Sequence, residues 1–317
     1  MSEAFNHQPG FYPGIPAEVY HSFTAMPYAS RSVIAQLAEG WSPAHVHYEL
    51  THPSEPTAAL EFGRALHEAV LTEGALIQVG PTATRSSKAW KAAVEADPTG
   101  LFVTEDEQET IAGVLSSLAQ HPQAAGILSK LREPTTIVEG TGLWRTRAVS
   151  DPEPELRVDL QQHPIALDEN SVRLTWPVDT GLPCMVKFRP DIWLGEADDP
   201  KSGIIVDLKS TGDARVKEFT RSVFNYGYDM QGGFYFEGFK RLGYRPKAFV
   251  LLAVEKSPPY AVRVYRLMPE VLEFGWNRIK DELRTFAKCQ HSGLWPAYES
   301  QVEQIGLPAW ADKVLFD

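Results

Sequence analysis

The chain has 317 residues, of which 43% are hydrophobic and 22% charged, so it can bury a substantial core without disulfides. Only two cysteines occur, Cys184 and Cys289, which excludes a disulfide framework and a four-cysteine iron–sulfur cluster. The sequence has no recognisable signal peptide, and no stretch approaches the roughly 20 apolar residues of a membrane span. We therefore expect a cytoplasmic protein without a membrane partner.

The formal net charge is −11, which argues against a general nucleic-acid coat protein. The charge is unevenly distributed, because residues 187–247 carry eleven Lys or Arg against nine Asp or Glu. Any contact with a polyanion is therefore expected on one restricted surface. A chance distribution would explain the same count equally well.

The first part of the chain is predicted to be helical after an irregular lead-in over residues 1–29, which are rich in Pro, Tyr and Phe. A helix is predicted to begin near Ser30 and to stop at Gly40. Apolar residues at helical spacing predict further helices at 58–74, 87–97 and 104–121.

The character of the sequence changes after Pro134, where β-branched runs alternate with turn residues. Two strands at 186–194 and 203–209 are predicted to form a hairpin through an acidic loop. The remaining predicted elements are helices at 215–225 and 228–242, strands at 247–255 and 260–267, and an amphipathic helix that begins at Pro269. This order predicts an α/β (α+β) protein with a central mixed sheet flanked by helices.

Asp207 and Lys209 share one face of the predicted strand 203–209, which is otherwise apolar. Pro190 and Asp191 lie in the preceding strand, so two carboxylates and one ammonium project from neighbouring strands. Two close carboxylates repel each other unless a divalent cation lies between them. Oxygen ligands suit Mg²⁺, and an adjacent lysine can orient a water molecule or neutralise developing charge. The pattern predicts phosphodiester hydrolysis, although a salt-bridged strand pair would give the same spacing.

The spacing Pro190-Asp191 … Asp207-Leu208-Lys209 resembles the motif of the PD-(D/E)XK nucleases. The helical segment "GRALH", residues 63–67, resembles the Gly-x-x-x-His motif of the branch that includes RecB and λ exonuclease, whose histidine is a metal ligand. A lone helical histidine is more often structural, but the downstream acidic pair favours the ligand here.

Two further stretches narrow the resemblance. Residues 228–238, "YDMQGGFYFEG", resemble the Gln-x-x-x-Tyr helix of the same branch. The two adjacent glycines in this helix suggest that a backbone or a nucleic-acid strand approaches closely. The amino-acid sequence from about residue 27 to residue 300 is similar to that of RecE-type exonucleases (exonuclease VIII), most specifically over residues 169–267.

The resemblance implies a role for each matching residue. The residues expected at the catalytic centre are Asp191, Asp207, Lys209 and Glu169, with Lys209 positioning the attacking water. The expected ligands of one or two Mg²⁺ ions, or Mn²⁺ as a substitute, are His67, Asp191, Asp207 and the Leu208 carbonyl. The expected DNA contacts are Gln231 and Tyr235 at the scissile nucleotide or strand end and, as candidate phosphate contacts, Arg64, Arg189, Lys217 and Arg221.

The resemblance also implies a restriction-endonuclease-like PD-(D/E)XK core. We expect a single nuclease domain over residues 30–300, between the lead-in 1–29 and a C-terminal tail at 301–317. Its expected parts are a helical part at 30–130, a catalytic sheet core at 134–267 with a candidate insertion at 134–166, and a C-terminal helix at 268–300.

The function implied by the resemblance is a metal-dependent exonuclease. It would degrade linear double-stranded DNA from 5′ ends and leave 3′ single strands for a RecT-like annealing protein. A ring-shaped homo-oligomer that encircles DNA is expected from the same resemblance. Two alternatives stay open: an endonuclease of the same superfamily, and a non-catalytic scaffold that binds DNA ends.

Overall fold

The computed structural model describes residues 8–146, 181–298, 302 and 304–306. The predicted catalytic residue Glu169 lies outside the described residues, as do residues 147–166 of the candidate insertion and most of the tail. In the described part of the chain, no helix is both long enough and apolar enough to cross a membrane.

The centre of the fold is a five-stranded sheet. In spatial order its strands are β11 (Val262–Leu267), β10 (Arg245–Glu255), β9 (Ser202–Thr211), β8 (Ile192–Gly195) and β5 (Thr136–Val138). β9 and β10 pair in parallel, whereas the other three pairs are antiparallel. The predicted mixed sheet is therefore confirmed, together with the two predicted antiparallel pairs β8–β9 and β10–β11.

Two smaller sheets accompany the central one. A four-stranded sheet has the order β1 (Gly10–Tyr12), β6 (Thr141–Arg145), β7 (Met185–Phe188) and β2 (Ala29–Ser30). A two-stranded parallel sheet joins β3 (Ile77–Val79) to β4 (Leu101–Val103). The predicted irregular lead-in therefore contributes short strands.

The strand predicted over residues 186–194 was expected to be continuous, and this is wrong. It is divided into β7 and β8, which belong to different sheets. The division falls at Pro190, which has no N–H to donate to a neighbouring strand. Asp191 therefore lies at the junction of the two sheets, immediately before β8.

Eleven helices occur in the described part of the chain, and the predicted helices are among them. The single helix predicted to begin at Pro269 is instead two helices, because the Arg284 N–H donates to Asp281 O at 3.0 Å, a tighter three-residue turn. The helices are α1 (Ala17–His21), α2 (Arg31–Ala38), α3 (Pro43–Thr51), α4 (Ala58–Leu71), α5 (Lys88–Ala96), α6 (Glu105–Gln120), α7 (Pro122–Leu128), α8 (Val216–Asn225), α9 (Tyr228–Arg241), α10 (Pro269–Ile279) and α11 (Glu282–Ser292).

The central sheet separates two hydrophobic cores. Ile205 of β9 packs into one core with α2, α8, α9, α10 and α11. Val206 and Leu208 of the same strand pack into the other core with α4, α6 and α7. Because side chains alternate along a strand, Asp207 and Lys209 project on the same side as Ile205, towards α8 and α9.

The adjacent glycines of α9 are explained by contact with α10. A Cβ atom at Gly233 would lie 2.5 Å from Leu272 O and 2.6 Å from Trp276 N. In return, a Cβ atom at Gly275 would lie 2.0 Å from Asp229 O. The two helices therefore pack backbone against backbone, and this contact fixes α9 over the sheet.

Candidate active site

The two halves of the acidic motif are joined by a hydrogen bond from a main-chain N–H to a carboxylate side chain. β8 and β9 are antiparallel with Ile192 opposite Val206, so Asp191 lies opposite Asp207 at the end of this pairing. The Leu208 N–H donates to Asp191 Oδ2 at 2.7 Å. The Asp191 carboxylate is therefore held against the strand that carries the second half of the motif.

Asp207 has polar partners even though it is only 1% exposed. Its Oδ1 accepts a hydrogen bond from Gln231 Nε2 at 2.7 Å, and its Oδ2 forms an ion pair with Lys209 Nζ. The Lys209 ammonium also lies 4.7 Å from the centre of the Tyr228 ring. A buried carboxylate is tolerated when it is paired in this way, so the strand carries no unpaired charge into the core.

The charges at the motif act on each other. Burial and the nearby Asp207 carboxylate together raise the pKa of Asp191 to about 6, against the lowering effects of His67, Lys209 and the Leu208 N–H. Burial lowers the pKa of Lys209, but the negative charges of Asp207 and Asp191 outweigh it and leave that pKa above its ordinary value. Lys209 is therefore held as a cation beside two carboxyl groups.

The predicted metal ligands are only partly brought together. His67 Nδ1 lies 3.5 Å from Asp191 Oδ2, so the α4 histidine is placed beside the motif. Within the residues that the structure describes, however, no three His, Cys, Asp or Glu side chains converge as an ion-binding cluster. Both oxygens of Asp207 are engaged by Gln231 and Lys209 instead.

The donor chemistry nevertheless fits a divalent cation. Carboxylate and carbonyl oxygens with one imidazole are ligands that hard cations accept in proteins. The repulsion between Asp191 and Asp207 raises the pKa of Asp191, and a cation between the two groups would relieve it. The residues that would hold such an ion are Asp191, Asp207, His67 and the carbonyl of Leu208.

Gln231 and Tyr235 have different positions. Gln231 reaches Asp207 and is part of the site. Tyr235 is buried against Phe188 and Phe249, and burial raises its pKa well above the ordinary value. The expected contact of Tyr235 with a nucleotide is therefore not supported, and its side chain supports Gln231 through a hydrogen bond instead.

The four candidate phosphate contacts also differ. Arg189 is committed within the protein, because it donates to Ile15 O at 2.6 Å and pairs with Glu139 at 3.4 Å. The other three candidates are exposed, and the Arg221 guanidinium forms an ion pair with Glu218 of the same helix. The exposed candidates are Arg64, Lys217 and Arg221.

Glu139 was not predicted as a site residue, but it lies beside the motif. Its N–H donates to Asp191 O at 2.9 Å, and its backbone has a φ of +47°, a left-handed conformation that is uncommon for glutamate. The only sequence signal was a Glu-Gly pair at the end of a β-branched run. This strained residue helps to fix the turn that carries Asp191.

Comparison with known proteins agrees with the motif. Residues 180–307 match the family model of a PDDEXK-like domain of unknown function (DUF3799). Over these residues the chain is therefore similar to the PD-(D/E)XK nuclease superfamily. Nucleases of this superfamily generally depend on divalent metal ions, so the donor set described above is the expected place for them.

One solved structure extends the likeness in fold. A crystal structure of a protein named "Putative exonuclease", from Eubacterium rectale, superposes with a TM-score of 0.55 at 14% sequence identity, covering 96% of this chain and 99% of the other. A second crystal structure, that of SSO0001, gives a TM-score of 0.27 at 12% identity, covering 71% of this chain and 86% of the other. No functionally curated protein matches the sequence.

Proposed function

We propose that this PD-(D/E)XK protein is a metal-dependent DNA exonuclease that hydrolyses phosphodiester bonds at the ends of linear double-stranded DNA. The observation that carries the proposal is the connected unit of Asp191, Asp207 and Lys209, which is joined by the Leu208 N–H and extended by Gln231. A purely structural ion pair needs neither the second carboxylate nor a histidine on the facing helix.

Each residue of this unit has a task in the proposed reaction. A bound Mg²⁺ or Mn²⁺ ion would supply polarisation of the phosphoryl group and a lower pKa of bound water. Asp191 and Asp207 bring negative charge to the site where such an ion is held. Lys209, held as a cation by both carboxylates, orients the attacking water or neutralises charge that develops on the phosphate. Gln231 fixes the orientation of Asp207.

The polarity and partners of the proposed reaction rest on the resemblance to RecE-type exonucleases. Digestion would proceed from 5′ to 3′ and release a 3′ single strand for a RecT-like annealing protein. Residues 187–247 contain more basic than acidic side chains. A ring of several subunits would place this segment around DNA, although the whole chain has a net charge of −11.

The decisive experiment compares linear with closed-circular duplex DNA of the same sequence, each with Mg²⁺ and with EDTA. Metal-dependent release of mononucleotides from the linear form alone supports the exonuclease, whereas cleavage of circles identifies an endonuclease. Binding of ends without any release identifies a scaffold. Duplexes labelled at the 5′ or the 3′ end then determine polarity, and Asp207→Asn protein is the matched control for contaminating nucleases.

A further inference from the structure

An exposed group of aromatic rings lies beside the candidate active site. Tyr226 is 66% exposed, Phe274 is 53% exposed and Phe224 is 40% exposed, while Tyr228 is half-buried beneath them. These four residues, which we call the aromatic surface, surround the turn between α8 and α9 and the facing side of α10. Large apolar groups are rarely grouped on a protein surface without a binding role.

The aromatic surface is continuous with the catalytic lysine. Lys209 Nζ lies 4.7 Å from the centre of the Tyr228 ring, and this ring lies 5.9 Å from the Tyr226 ring. Phe224 and Phe274 form a second, edge-on pair at 6.1 Å, at the C-terminal end of α8. A strand that stacks on Tyr226 and then on Tyr228 therefore arrives at Lys209, which is paired with Asp207.

The turn that carries Tyr226 is held rigidly. The guanidinium of Arg31, at the start of α2, donates to Tyr226 O at 2.7 Å and to Gly227 O at 2.5 Å. Gly227 has a φ of +65°, and a Cβ atom there would lie 2.6 Å from Arg31 Nη2. A turn whose backbone is fixed before binding loses little conformational entropy when a ligand stacks on the rings that it carries.

Cationic side chains flank the aromatic surface. Lys217, Arg221 and Phe224 recur at four- and three-residue spacing and share the exposed side of α8. The guanidinium of Arg278 lies 5.8 Å from the centre of the Phe274 ring. Exposed rings beside cations along one path are typical of surfaces that bind a single nucleic-acid strand, because bases stack while phosphates pair with the cations.

We infer that the aromatic surface stacks the unpaired bases of a DNA strand as that strand passes to or from the active site. This inference rests on the proposed nuclease function and adds a strand-binding surface to it. Tyr226 and Tyr228 stack bases nearest to the catalytic lysine. Lys217 and Arg221 contact the phosphates of the same strand.

The test measures binding of a fluorescent oligothymidylate by anisotropy in EDTA, so that no hydrolysis occurs. Tyr226→Ala is expected to weaken binding by about 5- to 100-fold, the range for loss of one base–aromatic stack. Tyr226→Phe, which keeps the ring, is expected to bind as the wild type does. Tyr298→Ala is the matched control, because Tyr298 is also 66% exposed and its ring packs on His45.

An abasic strand of the same length separates stacking from phosphate contact. Tyr226→Ala should bind this strand as well as the wild type does, whereas Lys217→Ala should weaken binding to both strands equally. Equal affinity of wild type and Tyr226→Ala for oligothymidylate would overturn the inference. So would a change of oligomeric state in Tyr226→Ala without loss of affinity, which would identify the surface as a contact between copies of this chain.

The outcomes also separate this inference from the proposed function. If the wild type fails to hydrolyse any DNA but binds oligothymidylate through Tyr226, the nuclease proposal fails and the strand-binding surface stands. If the wild type degrades linear DNA while Tyr226→Ala degrades and binds DNA equally well, the nuclease proposal stands and the surface is refuted.

Discussion

Lys209 and Lys187 are both buried lysines in β-strands, but their surroundings differ in charge. Lys187 Nζ donates to Tyr20 O at 2.5 Å and to Met26 O at 3.0 Å, and burial lowers its pKa to about 8. Lys209 faces Asp207 and Asp191, and their charges raise its pKa although burial opposes them.

The difference shows that burial by itself does not mark a functional lysine. Lys187 ties the segment that contains Tyr20 and Met26 to β7, a task that depends on hydrogen bonding to carbonyls. Lys209 is kept positive where a phosphate would be attacked, a task that depends on the carboxylates. The four predictions that follow test this division, from the largest expected effect to the smallest.

Asp207→Ala is expected to abolish hydrolysis of linear duplex DNA. It should also lower the free energy of unfolding by about 3 kcal/mol, because the buried Lys209 ammonium loses its nearest counter-charge. Activity on end-labelled DNA and urea denaturation of the metal-free protein measure the two effects. Wild-type activity in this variant would refute the assignment of the site.

Lys209→Ala is expected to reduce kcat by about 10²- to 10⁴-fold, as for loss of a group that acts on a proton or charge in the transition state. DNA affinity in EDTA should change by less than about threefold, since one phosphate contact at most is lost. Lys209→Arg, which keeps the charge, is the matched control. Loss of affinity with unchanged kcat would make Lys209 a phosphate clamp.

Lys187→Met tests the role of the other lysine through the pH dependence of the free energy of unfolding. The folded-state pKa of about 8 is below the unfolded value of 10.5, so the unfolded chain binds the extra proton between these values. Wild-type stability should therefore rise relative to Lys187→Met as pH increases from about 8 to 10.5, by at most about 3 kcal/mol. Urea denaturation at pH 7.5 and pH 10 measures this difference.

A constant difference between the two proteins over that range would show that burial does not lower the pKa of Lys187. Nuclease activity offers a second check on the division between the lysines. Refolded Lys187→Met protein should keep the kcat of the wild type, because Lys187 contacts the carbonyls of Tyr20 and Met26 and neither carboxylate of the motif.

Gly227→Ala is expected to have the smallest effect, a loss of about 1–2 kcal/mol in the free energy of unfolding. The cause is the left-handed backbone with a φ of +65° and the nearby Arg31 guanidinium. Gly212→Ala is the control, because a Cβ atom there meets nothing within 4 Å. Equal thermal unfolding of the two variants would contradict the strain assigned to the turn.

Much of the fold could be predicted from the sequence where the signal is local. The helix predicted at 104–121 is present as α6, and α2 begins after Ser30 as its pattern predicts. The division of the predicted strand at Pro190 could have been inferred from the missing N–H. Its consequence, two sheets that meet at Asp191, could not, because it depends on the pairing of β7 with β6, which lies far back in the chain.

The residues of the candidate site could be predicted from the sequence more completely than the contacts between them. Asp207 and Lys209 are two residues apart on one strand, so their proximity follows from alternation. The bond from Gln231 to Asp207 joins residues 24 positions apart and needs the packing of α9 over the sheet. Tyr235, one turn further, is buried in the core and does not reach the site's surface.

The bond from the Leu208 N–H to Asp191 has a consequence for mutational tolerance. Since the donor belongs to the main chain, every residue except proline at position 208 supplies it. Selection on the Leu208 side chain can therefore act only through the opposite core, where it is buried. The hydrogen bond between residue 208 and Asp191 can therefore be kept in evolution while the residues between these two positions change.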